Sequence, residues 1–374
     1  NDFKLQKRLG FVANAPRWAI AHKFAANSAT SKILNIEIQV GRTGALTPVA
    51  KIKPVNIGGV VVSNATLHNE DEINRKDIRV NDTAIIERAG DVIPHVVSVD
   101  ISKRSVKSIK FEFPDKCPSC GSETVKEFNN TTKKKDAVRR CTSQGFDCEK
   151  MSIEKLKHFV SKEAFNIDGL GKKIVEDFWN KKIIRYPQDI FNLNFNIIKN
   201  LDGWGNLSVS NLKYSIDMKR TIDLDRFIFS LGIRHIGLEN SKLIASHIKK
   251  PQKFFEFSKQ NKIDELLNID GIGQTQIVSL EIFFKNATNI KILDELKKVL
   301  KINPIKSKIT NGKLKNKSFL ITGKLVGISR SEVNSLIENN SGNILSNVNK
   351  KLDFLITGEK PTPKKVNLAQ ELNI

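Results

Sequence analysis

No run of 18 apolar residues occurs in the 374-residue sequence, which excludes an ordinary transmembrane helix. No signal-peptide pattern follows Asn1. Cysteine is scarce: four residues in a chain of this length do not make a disulfide scaffold. Acidic side chains are outnumbered, 40 Asp and Glu against 62 Lys and Arg, for a net charge of +22. There is no acidic tail. With 27% charged and 39% hydrophobic residues the chain is not a highly charged disordered polymer. It has ample material for buried cores, and its length suggests two or three domains.

The positive excess points first to a polyanionic partner. It is spread along the chain: +6 over residues 1–116, +2 over 117–150, +6 over 151–300, +3 over 301–310 and +5 over 311–374. A basic tail would concentrate it, so several modules with basic faces fit better. A general bias toward Lys, Asn and Ile is the bland alternative.

Residues 33–100 carry short β-type runs, Ile33 to Val40, Val60 to Val62, Thr83 to Glu87 and Val96 to Val99, punctuated by glycine. That pattern suggests a small barrel or sandwich. From 152 to 300 apolar residues recur at helical spacing, as in Ile174, Val175, Phe178 and Trp179. Residues 301–310 are basic, contain a proline and read as a linker. Residues 317–374 read strand, helix, strand: Ser318 to Thr322, Ser331 to Asn339, Asp353 to Thr357.

All four cysteines fall in one short segment, Cys117-x2-Cys120, twenty residues, then Cys141-x6-Cys148. Two close pairs separated by a polar loop match a structural zinc site. The loop has little apolar content, so metal would supply most of its folding energy. A redox pair at Cys117 and Cys120 would leave the other pair unexplained. Four thiolates close the coordination shell, so no catalytic role is expected of the metal.

Gly169, Gly203, Gly237 and Gly271 stand 34 residues apart, and three of the four contexts read apolar-Asp-Gly-apolar-Gly, with Gly171, Gly205 and Gly273 as the second glycines. The period alone would suggest tetratricopeptide repeats, but their Trp-x2-Leu-Gly pattern is absent. Gly-apolar-Gly between helices makes a tight hairpin whose next helix start can face a phosphate without side-chain obstruction. Lys172 and Lys173 would add charge after the first hairpin. This is the helix–hairpin–helix pattern, which holds the backbone without reading bases. In the third unit Glu239 stands where the second glycine is expected, so a purely helix-capping role is most plausible there.

Together these residues resemble a bacterial NAD⁺-dependent DNA ligase, in its C-terminal portion. Ala15-Pro-Arg-Trp-Ala-Ile-Ala-His-Lys23-Phe resembles the last signature segment of that family's nucleotidyltransferase domain. Val40-Gly-Arg-Thr-Gly-Ala-Leu-Thr-Pro-Val49, Ser63-Asn-Ala-Thr-Leu-His-Asn69 and Arg88-Ala-Gly-Asp-Val-Ile-Pro94 resemble its OB-fold. Leu320-Ile-Thr-Gly323 and Lys351-Leu-Asp-Phe-Leu-Ile356 resemble its BRCT domain.

The resemblance implies a multidomain α+β chain. Residues 1–32 would be the end of the nucleotidyltransferase domain and 33–116 an OB-fold β-barrel. A four-cysteine zinc finger would follow over 117–150, then an all-α helix–hairpin–helix domain over 151–300. The linker over 301–310 would lead to a small, C-terminally short α/β BRCT-like domain over 311–374. It implies sealing of 5′-phosphate/3′-hydroxyl nicks in duplex DNA during replication and repair, with NAD⁺ and Mg²⁺ for the intact enzyme and structural Zn²⁺ on Cys117, Cys120, Cys141 and Cys148. Lys23 would contact the nucleotide α-phosphate. Arg42 and Arg88, in glycine-rich turns, would reach DNA phosphates. His68 reads as structural rather than catalytic.

No Lys-x-Asp-Gly segment, home of the family's adenylated lysine, occurs in the sequence. The chain as given is therefore expected not to adenylate itself. Nicked duplex DNA is the expected partner, with no membrane role, a monomeric state, weak protein contacts through the BRCT-like segment and a cytoplasmic, nucleoid-associated location. The alternatives are a non-catalytic nicked-DNA clamp or a degenerate remnant, and a BRCT scaffold using Thr322 with Lys350 or Lys351.

Overall fold

Five strands close a barrel: β1 (Ser28–Val40), β2 (Leu46–Ile57), β3 (Val60–Thr66), β4 (Thr83–Ala89) and β5 (Ile93–Val99). Around the barrel the order is β1-β2-β3-β5-β4. β1 is long enough to serve two neighbours: Ser28–Lys32 pairs with β4 and Ile33–Val40 with β2. The β2–β3 hairpin turns on Gly58 and Gly59, both at positive φ (60° and 81°), which the right-handed strand twist favours in a two-residue loop. Inward residues such as Ile33, Ile52, Ile57 and Ile86 are fully buried. Helix α1 (Glu70–Lys76) closes one end. Asn69 caps it by accepting from the Glu72 N–H, and three acids occupy its first turn. Ile73 packs into the same core. These elements are the OB-fold expected from the sequence. Phe111 and Phe113 also pack on this core.

The structure is a computed structural model that describes residues 2–12, 15–22, 25–89, 93–129, 133–258, 263–305, 312–328, 330–345 and 347–374. It divides into two units, residues 23–305 and residues 1–22 with 306–374. Lys23, residues 90–92 of the Arg88–Pro94 segment and residues 306–310 of the expected linker lie outside the described residues.

After the barrel, β6 (Thr124–Asn129) and β7 (Lys134–Cys141) form an antiparallel hairpin carrying the cysteine cluster. The helical part follows: α2 (Glu149–Phe159), α3 (Lys172–Asn180), α4 (Phe195–Lys199), α5 (Asn206–Met218), α6 (Leu224–Ser230), α7 (Leu238–Ile248), α8 (Pro251–Glu256), α9 (Gln274–Lys285) and α10 (Ala287–Val299). One continuous core runs through it from Ile153 to Leu296. Phenylalanines fill its centre: Phe159 stacks on Phe165 at 4.3 Å, and Phe191 meets both edge-on.

The expected linker begins too early. Lys301–Asn303 forms strand β9, which pairs in parallel with β8 (Thr221–Asp223). Ile302 and Ile305 pack on the helical core. Three residues of alternating character gave no periodicity, and the pairing partner lies 80 positions away.

In the second unit β10 (Ser318–Thr322) is the buried centre of a parallel three-stranded sheet, flanked by β11 (Asn343–Ile344) and β12 (Phe354–Thr357). Helix α11 (Arg330–Asn339) lies where the sequence put it, and α12 (Pro363–Glu371) was not anticipated. The same unit holds a helix over Phe3–Leu9, capped by Asp2, and a short hairpin pairing Phe11–Val12 with Ala15–Pro16.

Candidate nucleic-acid interface and metal centre

At three hairpins the geometry repeats. Gly169, Gly203 and Gly271 sit at positive φ (88°, 80° and 93°), a conformation that glycine adopts without strain. The next residue turns inward: Leu170 and Ile272 are buried, and Trp204 packs against Phe178. Then Gly171, Gly205 and Gly273 cap α3, α5 and α9, and every one of these glycines is exposed.

The third hairpin corrects the expected register. Gly237 is the N-cap of α7, at φ −82°, and so occupies the position of Gly171, Gly205 and Gly273. His235, at φ 61°, holds the left-handed position, and Ile236 is the inward residue. The 34-residue period misaligned this unit by two residues, because equal spacing of glycines took no account of which glycine bends and which caps. Glu239 replaces no glycine. It is the second residue of α7 and pairs with Lys242 at 3.0 Å. A carboxylate there competes with any anion for the positive helix end.

The four capping glycines share a second property. None has a positive φ, and a Cβ at Gly171, Gly205 or Gly237 would meet nothing within 4 Å. At Gly273 it would meet only Gln276 Oε1, at 3.5 Å. Serine or aspartate would cap these helices better. Neither backbone conformation nor internal packing accounts for glycine here. Gly205 N–H donates to Ser208 Oγ and Gly273 N–H to Gln276 Oε1. Lys172 and Lys173 are exposed in the first turn of α3, as expected. The starts of α5 and α9 carry no charged side chain, so the first hairpin is the most basic.

The cysteines converge. All four Sγ atoms lie within 4.8 Å of one another, with Cys117–Cys148 at 4.0 Å and Cys120–Cys141 at 3.5 Å. A tetrahedral zinc with bonds of about 2.3 Å separates its sulfurs by roughly 3.8 Å, so the donor set fits that ion. None of the four is in a disulfide. Gly121, at φ 73°, lets its N–H donate to the Cys117 carbonyl and folds the first pair into one turn. Cys141 ends β7, and Cys148 is the N-cap of α2. Burial pushes the Cys141 and Cys148 thiols up, so thiolates there call for a cation.

The two arginines are largely engaged inside the protein. Arg42 is half-buried, its Nη1 donates to the Gly232 carbonyl at 3.4 Å, and burial lowers its pKa. It braces the β1–β2 turn against the third hairpin. Gly232, at φ 64°, suits a position where a side chain would be strained and its Cβ would press on the His158 ring at 3.2 Å. Arg88 donates to the Ile57 carbonyl at 3.2 Å. His68 is exposed at φ 62°, with its ring 5.7 Å from that of His95. Thr322 is buried, and its Oγ1 accepts from the Thr362 N–H, which leaves it poorly placed for a BRCT ligand.

Charged residues with no local signal along the chain tie the β6–β7 hairpin down. Arg139 and Lys126 both pair with Glu70 of α1, and Lys126 also with Asp71. Arg140 donates to Thr43, and Arg234 pairs with Glu127. Their partners lie 55 to 107 positions away, beyond any local pattern.

A closed five-stranded barrel, a four-thiol cluster and four glycine-capped hairpins define a multidomain scaffold of the nucleic-acid-binding kind. Its parts match known domains: the NAD-dependent DNA ligase adenylation domain over residues 1–27, the NAD-dependent DNA ligase OB-fold domain over 30–108, the helix-hairpin-helix motif over 226–293 and the BRCT domain over 310–374. The chain is 69% identical over its whole length to a DNA ligase of Pelagibacter ubique, covering 55% of that protein. It is 46% identical to a DNA ligase of Wolbachia pipientis wMel (97% of this chain, 55% of that one), and 42% identical to one of Xanthobacter autotrophicus (100% and 54%). The chain belongs to the NAD-dependent DNA ligase family and spans about half the length of these curated relatives. Among the described residues no helix is long and apolar enough to cross a membrane.

Proposed function

We propose that this chain is the duplex-gripping part of an NAD⁺-dependent DNA ligase that seals 5′-phosphate/3′-hydroxyl nicks in replication and repair. The observation that carries the proposal is the set of four capping glycines. Each stands at a helix start where its own fold would accept a side chain, so the space is kept for something outside the chain. A phosphate fits, because the helix start offers N–H groups and positive potential.

Contacts of this kind hold the backbone and are indifferent to sequence. Gly169, Gly203 and Gly271 shape the turns, while Gly171, Gly205, Gly237 and Gly273 make the approach, strengthened by Lys172 at the first hairpin. Arg42 acts chiefly by fixing the turn on which it sits; Arg88 lies on strand β4 rather than in a turn, and acts by holding the end of β2 at Ile57. Structural Zn²⁺ on Cys117, Cys120, Cys141 and Cys148 holds the hairpin between barrel and helices. Lys23 is assigned to the nucleotide α-phosphate. In the intact enzyme NAD⁺ supplies the adenylyl group and Mg²⁺ neutralises phosphate charge. We assign the barrel domain from Ser28, where its first strand begins, rather than from residue 33, and the helical domain through Ile305, with the small β8–β9 pair inside it. The protein is assigned as a monomer of the bacterial cytoplasm, associated with the nucleoid, with at most weak protein contacts through its BRCT-like domain.

Gly171→Ser tests the proposal. Serine is the better cap, so the melting temperature should hold or rise while affinity for nicked duplexes of any sequence falls, by about tenfold if one phosphate contact is lost. Unchanged affinity, or loss confined to particular sequences, would overturn it. Incubation with labelled NAD⁺ should leave this chain without covalent AMP, and nick sealing should require the Lys-x-Asp-Gly nucleophile. A protein that grips nicks in cells with no such nucleophile available would instead be the non-catalytic clamp.

A further inference from the structure

A cleft of about 1060 Å³ lies between the β6–β7 hairpin and the helical domain. One wall is the outer face of α9, where Val278 and Ile282 are 42% and 57% exposed. Val125 and Phe128 of β6 also line it, similarly uncovered. Six cationic side chains line the cleft, against the carboxylates of Glu127 and Asp136. Arg140 and Arg234 form the centre of that charge. Glu127 pairs closely with Arg234 Nη1, at 2.5 Å, while Asp136 is shared at longer range, 3.4 Å from Arg140 Nη2 and 3.7 Å from Arg234 Nη2, so Arg140 has the weaker share of anion. The Nε of each arginine has no acceptor among the described residues. Burial and the neighbouring Arg234 both press against the charge on Arg140. This space has apolar surface, excess cation and too little anion.

We propose that the cleft binds a nucleoside phosphate, its base on the Val278, Ile282 and Phe128 surface and its phosphate against Arg140 and Arg234. The guanidinium fork matches phosphate oxygens. The Phe128 ring offers a face on which any base can stack, and Val278 and Ile282 add apolar area beside it. The volume is at the upper limit for small-ligand sites, room enough for a nucleoside phosphate. Two sources share this chemistry: a free mononucleotide and the end of a displaced strand. The second rests on the duplex-binding proposal, since Gly232 to His235 of the third hairpin also line the cleft.

Equilibrium dialysis of the 374-residue chain against labelled AMP and against 5′-phosphorylated trithymidylate tests this. Saturable binding of at least one probe is expected, with a Kd below about 1 mM. Ile282→Glu and Arg234→Gln should each weaken it by about tenfold or more. Ile282 is exposed, so the melting temperature of its variant should match the parent. Tighter trithymidylate binding would identify a strand end as the ligand, and equal or tighter AMP binding a free nucleotide. Absence of saturable binding by both probes would overturn the proposal. So would binding that Ile282→Glu leaves intact, or an acidic amphipathic peptide occupying the cleft while nucleotides do not. Duplex affinity measured on the same preparation separates the two proposals: duplex binding without nucleotide binding sinks this one alone, and the reverse sinks the other.

Discussion

Glycine plays two distinct parts in the hairpins, and single substitutions should separate them. At Gly271 the backbone is left-handed and a Cβ would lie 3.1 Å from Leu243 Cδ1. Gly271→Ala should therefore cost about 1–2 kcal/mol of stability. Gly273→Ser, at an ordinary cap position, should be neutral or stabilising by a few tenths, roughly. Urea melts of the two variants check the contrast. Lys155 offers a second residue-scale test. Its Nζ donates to the Gly145 carbonyl and lies 4.9 Å from the Phe146 ring, and burial lowers its pKa from 10.5 to about 8. Below about pH 8 the buried ammonium costs stability in full. Between there and the unfolded value the folded chain holds fewer protons, so stability rises with pH, by at most about 1.4 kcal/mol per unit. Lys155→Met should flatten that slope in unfolding curves taken across this range.

At the scale of elements, the proposed zinc makes the β6–β7 hairpin dependent on a metal as well as on its ion pairs. Chelation should release one zinc, expose four reactive thiols and strip hydrogen-exchange protection from the segment between Cys117 and Cys148. The barrel should keep most of its protection, because Ile33, Ile52, Ile57 and Ile86 form a core without the cysteines; Val40 and Leu46, which pack with the cysteines, and Phe113, which packs on both cores, mark where loss should begin. Loss of barrel protection at the same chelator concentration would mean that the metal organises more than the finger. The pairs Arg139–Glu70 and Lys126–Glu70 anchor the hairpin to α1 and hold the Glu70 carboxyl below its usual range, although burial opposes them. The β-type runs and the four cysteines announced these elements. Strand β9 and the anchoring pairs stayed hidden, because each needs a partner brought from far along the chain.

For the whole molecule the relevant quantity is the number of phosphates held at once. If each hairpin takes at least one, the logarithm of duplex affinity should fall against that of salt with a slope of about −3.6 or steeper. A slope near −1 would leave only the first hairpin, with Lys172 and Lys173, in contact. The spread of the +22 charge over every segment fits the steeper value. The charge is also partly consumed inside: Arg42 and Arg139 are engaged in holding barrel, finger and hairpins together.

The sequence by itself determined the order of modules, the four-thiol set and three of the four hairpins, because each rests on short-range physics: strand and helix periodicity, ligand spacing, the left-handed turn that glycine allows. Only the tertiary structure decided that His235 and Gly237, not Gly237 and Glu239, form the third hairpin. It alone turned Arg42 inward to Gly232, buried Thr322 beneath Thr362 and opened the cleft beside Arg140 and Arg234. Those outcomes depend on which distant groups come within a few ångströms, and spacing along a chain carries no record of that.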